Sequence, residues 1–132
     1  MHLYYRITIL YVLSLALPAG ADLAVDAVRS SGVRGGLVVH VGATSPDEMA
    51  ALRLNDRYMV QGLSATAQAV EKVRNTLHER GLYGPVSMEQ FNGRSLPYIE
   101  NFVNLLVVEE NVEVAQTELL RVLVPEGVAL IR

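Results

Sequence analysis

The chain has 132 residues, about half of them apolar, which is enough for one domain with a real core. A net charge of −3 and a pI near 5.6, with no run of Lys or Arg, exclude the electrostatic footprint of a DNA- or RNA-binding protein. Cysteine is absent, which excludes disulfides, thiolate chemistry and cysteine-based zinc sites and leaves the compartment open.

The N-terminal stretch MHLYYRITILYVLSLALPAGAD has a weakly basic start (His2, Arg6) and about 11 mostly apolar residues from Ile7 to Leu17. Pro18 and the small residues Ala19-Gly20-Ala21 follow. This is the plan of a secretory signal peptide cut near Ala21, and the run is short for a membrane span of about 20 residues. The expectation is residues 1–21 as a signal peptide of an exported bacterial protein, periplasmic or secreted. The alternatives are an uncleaved membrane anchor and a strand packed on the domain.

From Asp22 the pattern alternates between helix and strand. Asp22 can cap a helix carrying Leu23, Val25, Ala27 and Val28 towards a stop at Gly32. Leu37–Val41 reads as a buried strand. Gly42 ends it, and a helix follows from Pro46 to Leu54, with Pro46, Asp47 and Glu48 suited to a first turn. Tyr58–Leu63 is the second strand. Ala65–Arg80 is the clearest helix, with Ala67, Val70, Val73 and Leu77 on one stripe and Gly81 as terminator.

Val86–Gln90 and Phe102–Val108 read as strands, Val112–Leu123 as a helix, and Pro125-Glu-Gly as a turn into a last strand, Val128–Ile131. Between Gln90 and Phe102 lie 11 residues, FNGRSLPYIEN, without a helical pattern, just enough for a parallel crossover. Alternating strands and helices imply an α/β, Rossmann-like fold. Its sheet is expected to be five-stranded and mostly parallel, with helices on both faces, and any ligand lies beyond the carboxyl ends of the strands.

Four phrases in order, GGLVVHVGA, YMVQGLSATAQAVEKVR, FNGRSLPYIENFVNLLVVEE and LLRVLVPEGVALI, resemble the class I S-adenosylmethionine-dependent methyltransferases. The last phrase is similar to that family's turn into its fifth strand. The resemblance covers residues 22–132. More narrowly, it looks like the methyltransferase-like domain that precedes a quinone-type β-propeller in some exported bacterial proteins. It implies S-adenosylmethionine as cofactor, lined by Gly42, Ala43, Ser64, Asn92 and Glu109.

The sequence keeps Gly42 and departs from the family at several other positions. Thr44 and Pro46 stand where two more glycines of the cofactor loop would be, at a cost in space and in an N–H donor. Ser64 stands where a carboxylate would hold the ribose, without that group's charge-assisted strength. Asn92 replaces the acidic adenine partner and keeps a carbonyl acceptor. Asn104 aligns roughly with an Asp of the fourth strand. Glu109-Glu110, at that strand's end, could act as a base, hydrogen-bond a substrate, or simply be solvated.

His40 and His78 have no partner at metal-ligand spacing, so no metal is expected. Tyr58, Tyr83 and Tyr98 read as packing residues, and Tyr4, Tyr5 and Tyr11 belong to the targeting segment. Two functions follow from the resemblance. One is a degenerate, non-catalytic domain acting in binding or assembly, with no cofactor. The other is a methyltransferase using S-adenosylmethionine on an unknown substrate. The chain ends after the family's fifth strand, so the expectation is an uncovered apolar edge at Val128–Ile131 that takes a protein partner or belongs beside a missing C-terminal domain.

Overall fold

The computed structural model describes residues 8–11 and 20–132. The rest of the expected leader, including Tyr4, Tyr5 and the Leu17–Ala19 approach to the cut, lies outside the described residues. In chain order the elements are β1 (Thr8–Tyr11), α1 (Gly20–Ser31), β2 (Gly36–Val41), α2 (Pro46–Leu52) and β3 (Tyr58–Ser64). Then come α3 (Ala67–Glu79), β4 (Val86–Gln90), β5 (Val103–Val108), α4 (Gln116–Val122) and β6 (Leu123–Ile131). Among the described residues no helix is long and apolar enough to cross a membrane.

All strand pairs are parallel, in the order β1-β6-β5-β2-β3-β4. Five of these strands are the expected Rossmann-like sheet. The sixth corrects the expectation of an open edge. Thr8–Tyr11 pairs in register with Val128–Ile131, so the last strand is covered along four residue pairs. The segment TILY is built of strand-forming residues, and a parallel neighbour satisfies the N–H and C=O groups that an edge would leave to water. For these four residues, the packed-strand alternative is what the structure shows.

The strands are apolar on both faces because both are covered. One face carries Val38, Val60, Leu105, Val107 and Leu130 against Ala24 and Val28 of α1, Met49 and Leu52 of α2, and Val70, Val73 and Leu77 of α3. The other carries Val39, Val41, Leu63, Leu106 and Val108 against Leu119 and Val122 of α4 and against Phe91 and Leu96 of the crossover. The crossover has no helix, as its composition requires. Arg121 holds it instead, donating to the carbonyls of Tyr98 (2.8 Å) and Leu96 (3.1 Å), while Glu118 accepts from Leu96 N–H (3.2 Å).

Most boundaries shift by one to three residues, and the largest differences from expectation are at the starts of α4 and β6. α4 begins at Gln116 rather than Val112, because Val112 and Val114 pack at alternate positions against the second core and Val112 N–H closes a turn onto Glu109 C=O (3.1 Å). β6 begins at Leu123, which pairs with Val103, and the expected turn lies inside the strand as a register shift. There Glu126 takes a left-handed φ of 67°.

Candidate functional site

The chain leaves β2 for β3 and β4 on one side and returns to β5 and β6 on the other. The carboxyl ends of β2 and β5 are therefore the topological switch point, where open α/β sheets hold ligands. Gly42 follows β2, Ser64 ends β3, Glu109 follows β5 and Arg132 follows β6. Ser45 caps α2 by accepting from Glu48 N–H (3.2 Å), with Pro46 next in the first turn, which places Glu48 over the same end of the sheet.

Four charged or polar side chains converge there. His40, 1% exposed in the central strand, has Nε2 2.6 Å from Glu109 Oε1. Arg132 donates to that same oxygen through Nε (3.0 Å) and Nη2 (2.9 Å), and its Nη2 also reaches Glu48 Oε2 at 2.8 Å. Burial by itself raises the Glu109 carboxyl. The hydrogen bond from His40 and the charge of Arg132 outweigh it and hold the group below the usual carboxylate range.

His40 Nδ1 is buried without a partner among the described residues. A bare lone pair costs less there than an unpaired N–H, so the proton sits on Nε2 and is donated to Glu109. Ligand atoms of His40, Glu48 and Glu109 lie within 4.8 Å of one another, a nitrogen-and-carboxylate set that suits a transition-metal ion by type. The arrangement does not favour one. Arg132 already bridges the carboxylates, and ligation through Nε2 would move a proton onto the stranded Nδ1, where a ligating His ordinarily has a second partner.

The residues expected to line S-adenosylmethionine are brought to this end of the sheet, but their polar groups are engaged within the chain. Gly42 N–H (2.8 Å) and Ala43 N–H (3.2 Å) both donate to Leu63 C=O. Ser64 Oγ accepts from Thr66 N–H at 3.2 Å, and Asn92 Oδ1 accepts from Arg94 N–H (2.9 Å) and Ser95 N–H (2.7 Å). Gly42 has φ 86°, yet its open side is filled. A Cβ there would lie 2.7 Å from Val112 Cγ2 and 3.1 Å from Glu109 Cβ. Val112 and Glu109 are therefore the side chains that stand against the open side of Gly42.

Asn104 is not at this end. Its Oδ1 accepts from Leu37 N–H (2.9 Å) at the amino-terminal end of β2, so the rough alignment with a fourth-strand Asp places it away from the cleft. Glu110 lies in the exposed turn beyond β5. Tyr58 donates to Val33 C=O (2.8 Å), Tyr83 stacks on His78 with centroids 4.2 Å apart, and Tyr98 donates to Gln61, all packing roles. The partners of His40 were missed in the sequence. The signal for them was a histidine inside a wholly apolar strand, which needs a buried partner that spacing along the chain cannot reveal.

The fold has counterparts among solved structures. A protein from Methanococcus maripaludis, classed as a candidate S-adenosyl-L-methionine-dependent methyltransferase, superposes with TM-score 0.72 at 18% identity over 84% of this chain and 53% of its own. The fold is that of the class I methyltransferases. A SAM-dependent methyltransferase from Aquifex aeolicus gives 0.67 at 16% identity over 77% of this chain and 58% of its own. The [4+2]-cyclase SpnF gives 0.66 at 23% identity over 79% and 41%. This methyltransferase-like domain thus spans about half the length of the structures it matches. No protein-family model matches it, nor does any curated protein.

Proposed function

We propose that this chain is a methyltransferase-like domain that does not transfer methyl groups and acts through its surface, in binding or assembly. The observation that carries the reading is the Gly42 face, closed by Val112 and Glu109 where a cofactor has to approach. The internal engagement of Ser64, Asn92 and the Gly42 and Ala43 amides supports it. So does the SpnF neighbour, named for a cyclisation, since one fold hosts different chemistries.

The second reading, a methyltransferase using S-adenosylmethionine, is favoured by structural neighbours named for that activity, one of them solved with SAM. Calorimetric titration of S-adenosylmethionine and S-adenosylhomocysteine into the full chain separates the two. The expected result is no heat at millimolar ligand from a folded sample. Micromolar binding would overturn the proposal and make the domain a methyltransferase awaiting its substrate.

Export belongs to this reading as a separate proposal. Residues 1–21 can be removed as a leader or can supply β1, but not both in one molecule. A cut near Ala21 also falls in the first turn of α1. The intact mass of protein recovered from its compartment tests this: a mature chain lacking about 21 residues supports a cleaved leader, and a full-length chain overturns it.

A further inference from the structure

The edge of β6 is filled in a way that leaves it open to exchange. β1 is four residues long, and β6 is the only described element against which it makes an extended contact. It is tied to the domain through residues 12–19, a connection that reaches roughly 30 Å when fully extended. β1 stands at the edge of the sheet with one strand neighbour, and the described tie between them is a backbone ladder of four residue pairs. When β1 leaves, the N–H and C=O groups of an apolar strand, Val128–Ile131, face water, and such an edge takes up another strand.

We infer that the β6 edge is a strand-acceptor site and that its partner is a second copy of this chain, whose own Thr8–Tyr11 adds to it in reciprocal exchange. Thr8–Tyr11 is the segment whose fit to this edge is on record, in a register that joins Thr8 to Val128, Ile9 to Ala129, Leu10 to Leu130 and Tyr11 to Ile131. Exchange preserves all four pairs and changes only which copy provides them. Its cost is confined to the connection and to association, which makes swapping of a short terminal element a low-cost route to a dimer. The inference stands on strand register and is independent of whether the domain binds a cofactor; it belongs to the chain that keeps residues 1–21 and is the alternative to the cleaved leader proposed above.

The absence of cysteine makes the test direct. Registered Cα atoms on neighbouring strands lie about 4.8 Å apart, within the span of a disulfide. One full-length sample carries Ile9→Cys and a second carries Ala129→Cys. The two are unfolded together, refolded at high protein concentration and oxidised. The expected product is a disulfide-linked heterodimer, its yield rising with concentration and at least several-fold above a control pairing Ile9→Cys with Glu71→Cys on α3. A chain carrying both Ile9→Cys and Ala129→Cys reports the same pairing within one molecule. If that chain closes its internal disulfide while the mixed samples stay monomeric, exchange is overturned. If neither bond forms, the β1–β6 pairing itself is overturned, and the inference with it.

Discussion

His40 Nε2 lies 2.6 Å from Glu109 Oε1, so a nearly inaccessible imidazole in one strand is tied to the carboxylate that follows the neighbouring strand. The bond has a direction, Nε2–H to carboxylate, because Nδ1 has nothing to donate to. Nitrogen-15 NMR of the ring is expected to show the Nε2-protonated tautomer. Glu109→Ala leaves that donor unsatisfied in the interior and is expected to cost roughly 1–3 kcal/mol. His40→Leu removes the need for a partner, so in a double-mutant cycle by denaturant unfolding the pair is expected to be clearly non-additive. Additive losses would mean that the two side chains do not act as a unit.

The lowered Glu109 carboxyl gives the fold a pH dependence. A carboxyl held lower in the folded than in the unfolded chain contributes stability above the unfolded value, about 4.3, and loses it as pH falls through the folded value. The contribution is therefore complete above roughly pH 5 and fades in the acid range below about pH 4. Glu109→Gln is expected to be less stable than the parent at neutral pH, with the gap narrowing on acidification. Parallel curves from pH 7 to pH 3 would contradict this.

Gly42 and Gly81 share a left-handed backbone and differ in what surrounds them. Gly81 has φ 67° with nothing within 4 Å of a built Cβ, whereas Gly42 meets Val112 at 2.7 Å. Gly81→Ala is expected to cost about 1–2 kcal/mol from the backbone alone. Gly42→Ala adds overpacking and is expected to cost about 2–4 kcal/mol. Equal losses in urea unfolding would show that the Gly42 face is open after all.

Arg121 replaces a crossover helix as the fastening of residues 91–102. Its hydrogen bond to Glu118 lifts the guanidinium's pKa and lowers that of the carboxyl. Arg121→Ala removes the donors to Tyr98 and Leu96 and is expected to raise amide hydrogen exchange from Leu96 to Phe102 while leaving β2 and β3 protected. Faster exchange across the whole sheet would instead make Arg121 a global determinant of stability.

The elements that repeat a local pattern were legible in the residues. Val86–Gln90 matches β4 in full, and three of the four stripe residues, Val70, Val73 and Leu77, are the buried face of α3, while Ala67 in its first turn is exposed. The parallel order also followed from alternation of strand and helix, because connection length and burial on two faces are written in the sequence. The start of α4 was not, since Val112 spaces with Ala115 and Leu119 as a helix would and with Val114 as an extended segment would, until the second core selects the latter. Nor could the sequence alone give Thr8–Tyr11 a place in the sheet. The same apolar residues suit a leader and an edge strand, and the ladder of β6 against which they pair lies more than a hundred residues away in sequence.

The site divides the same way. Gly42, Ser64 and Asn92 were identified by position along the chain, and position gave no information about what their donors and acceptors already held. The hydrogen bonds that join His40, Glu48, Glu109 and Arg132 link residues up to 84 positions apart in sequence. Composition and periodicity determined an α/β domain whose strands end in one cleft. Tertiary structure decided that His40, Glu48, Glu109 and Arg132 meet at the end of that sheet, because electrostatic partners and packed side chains are matters of distance in space, which sequence order does not encode.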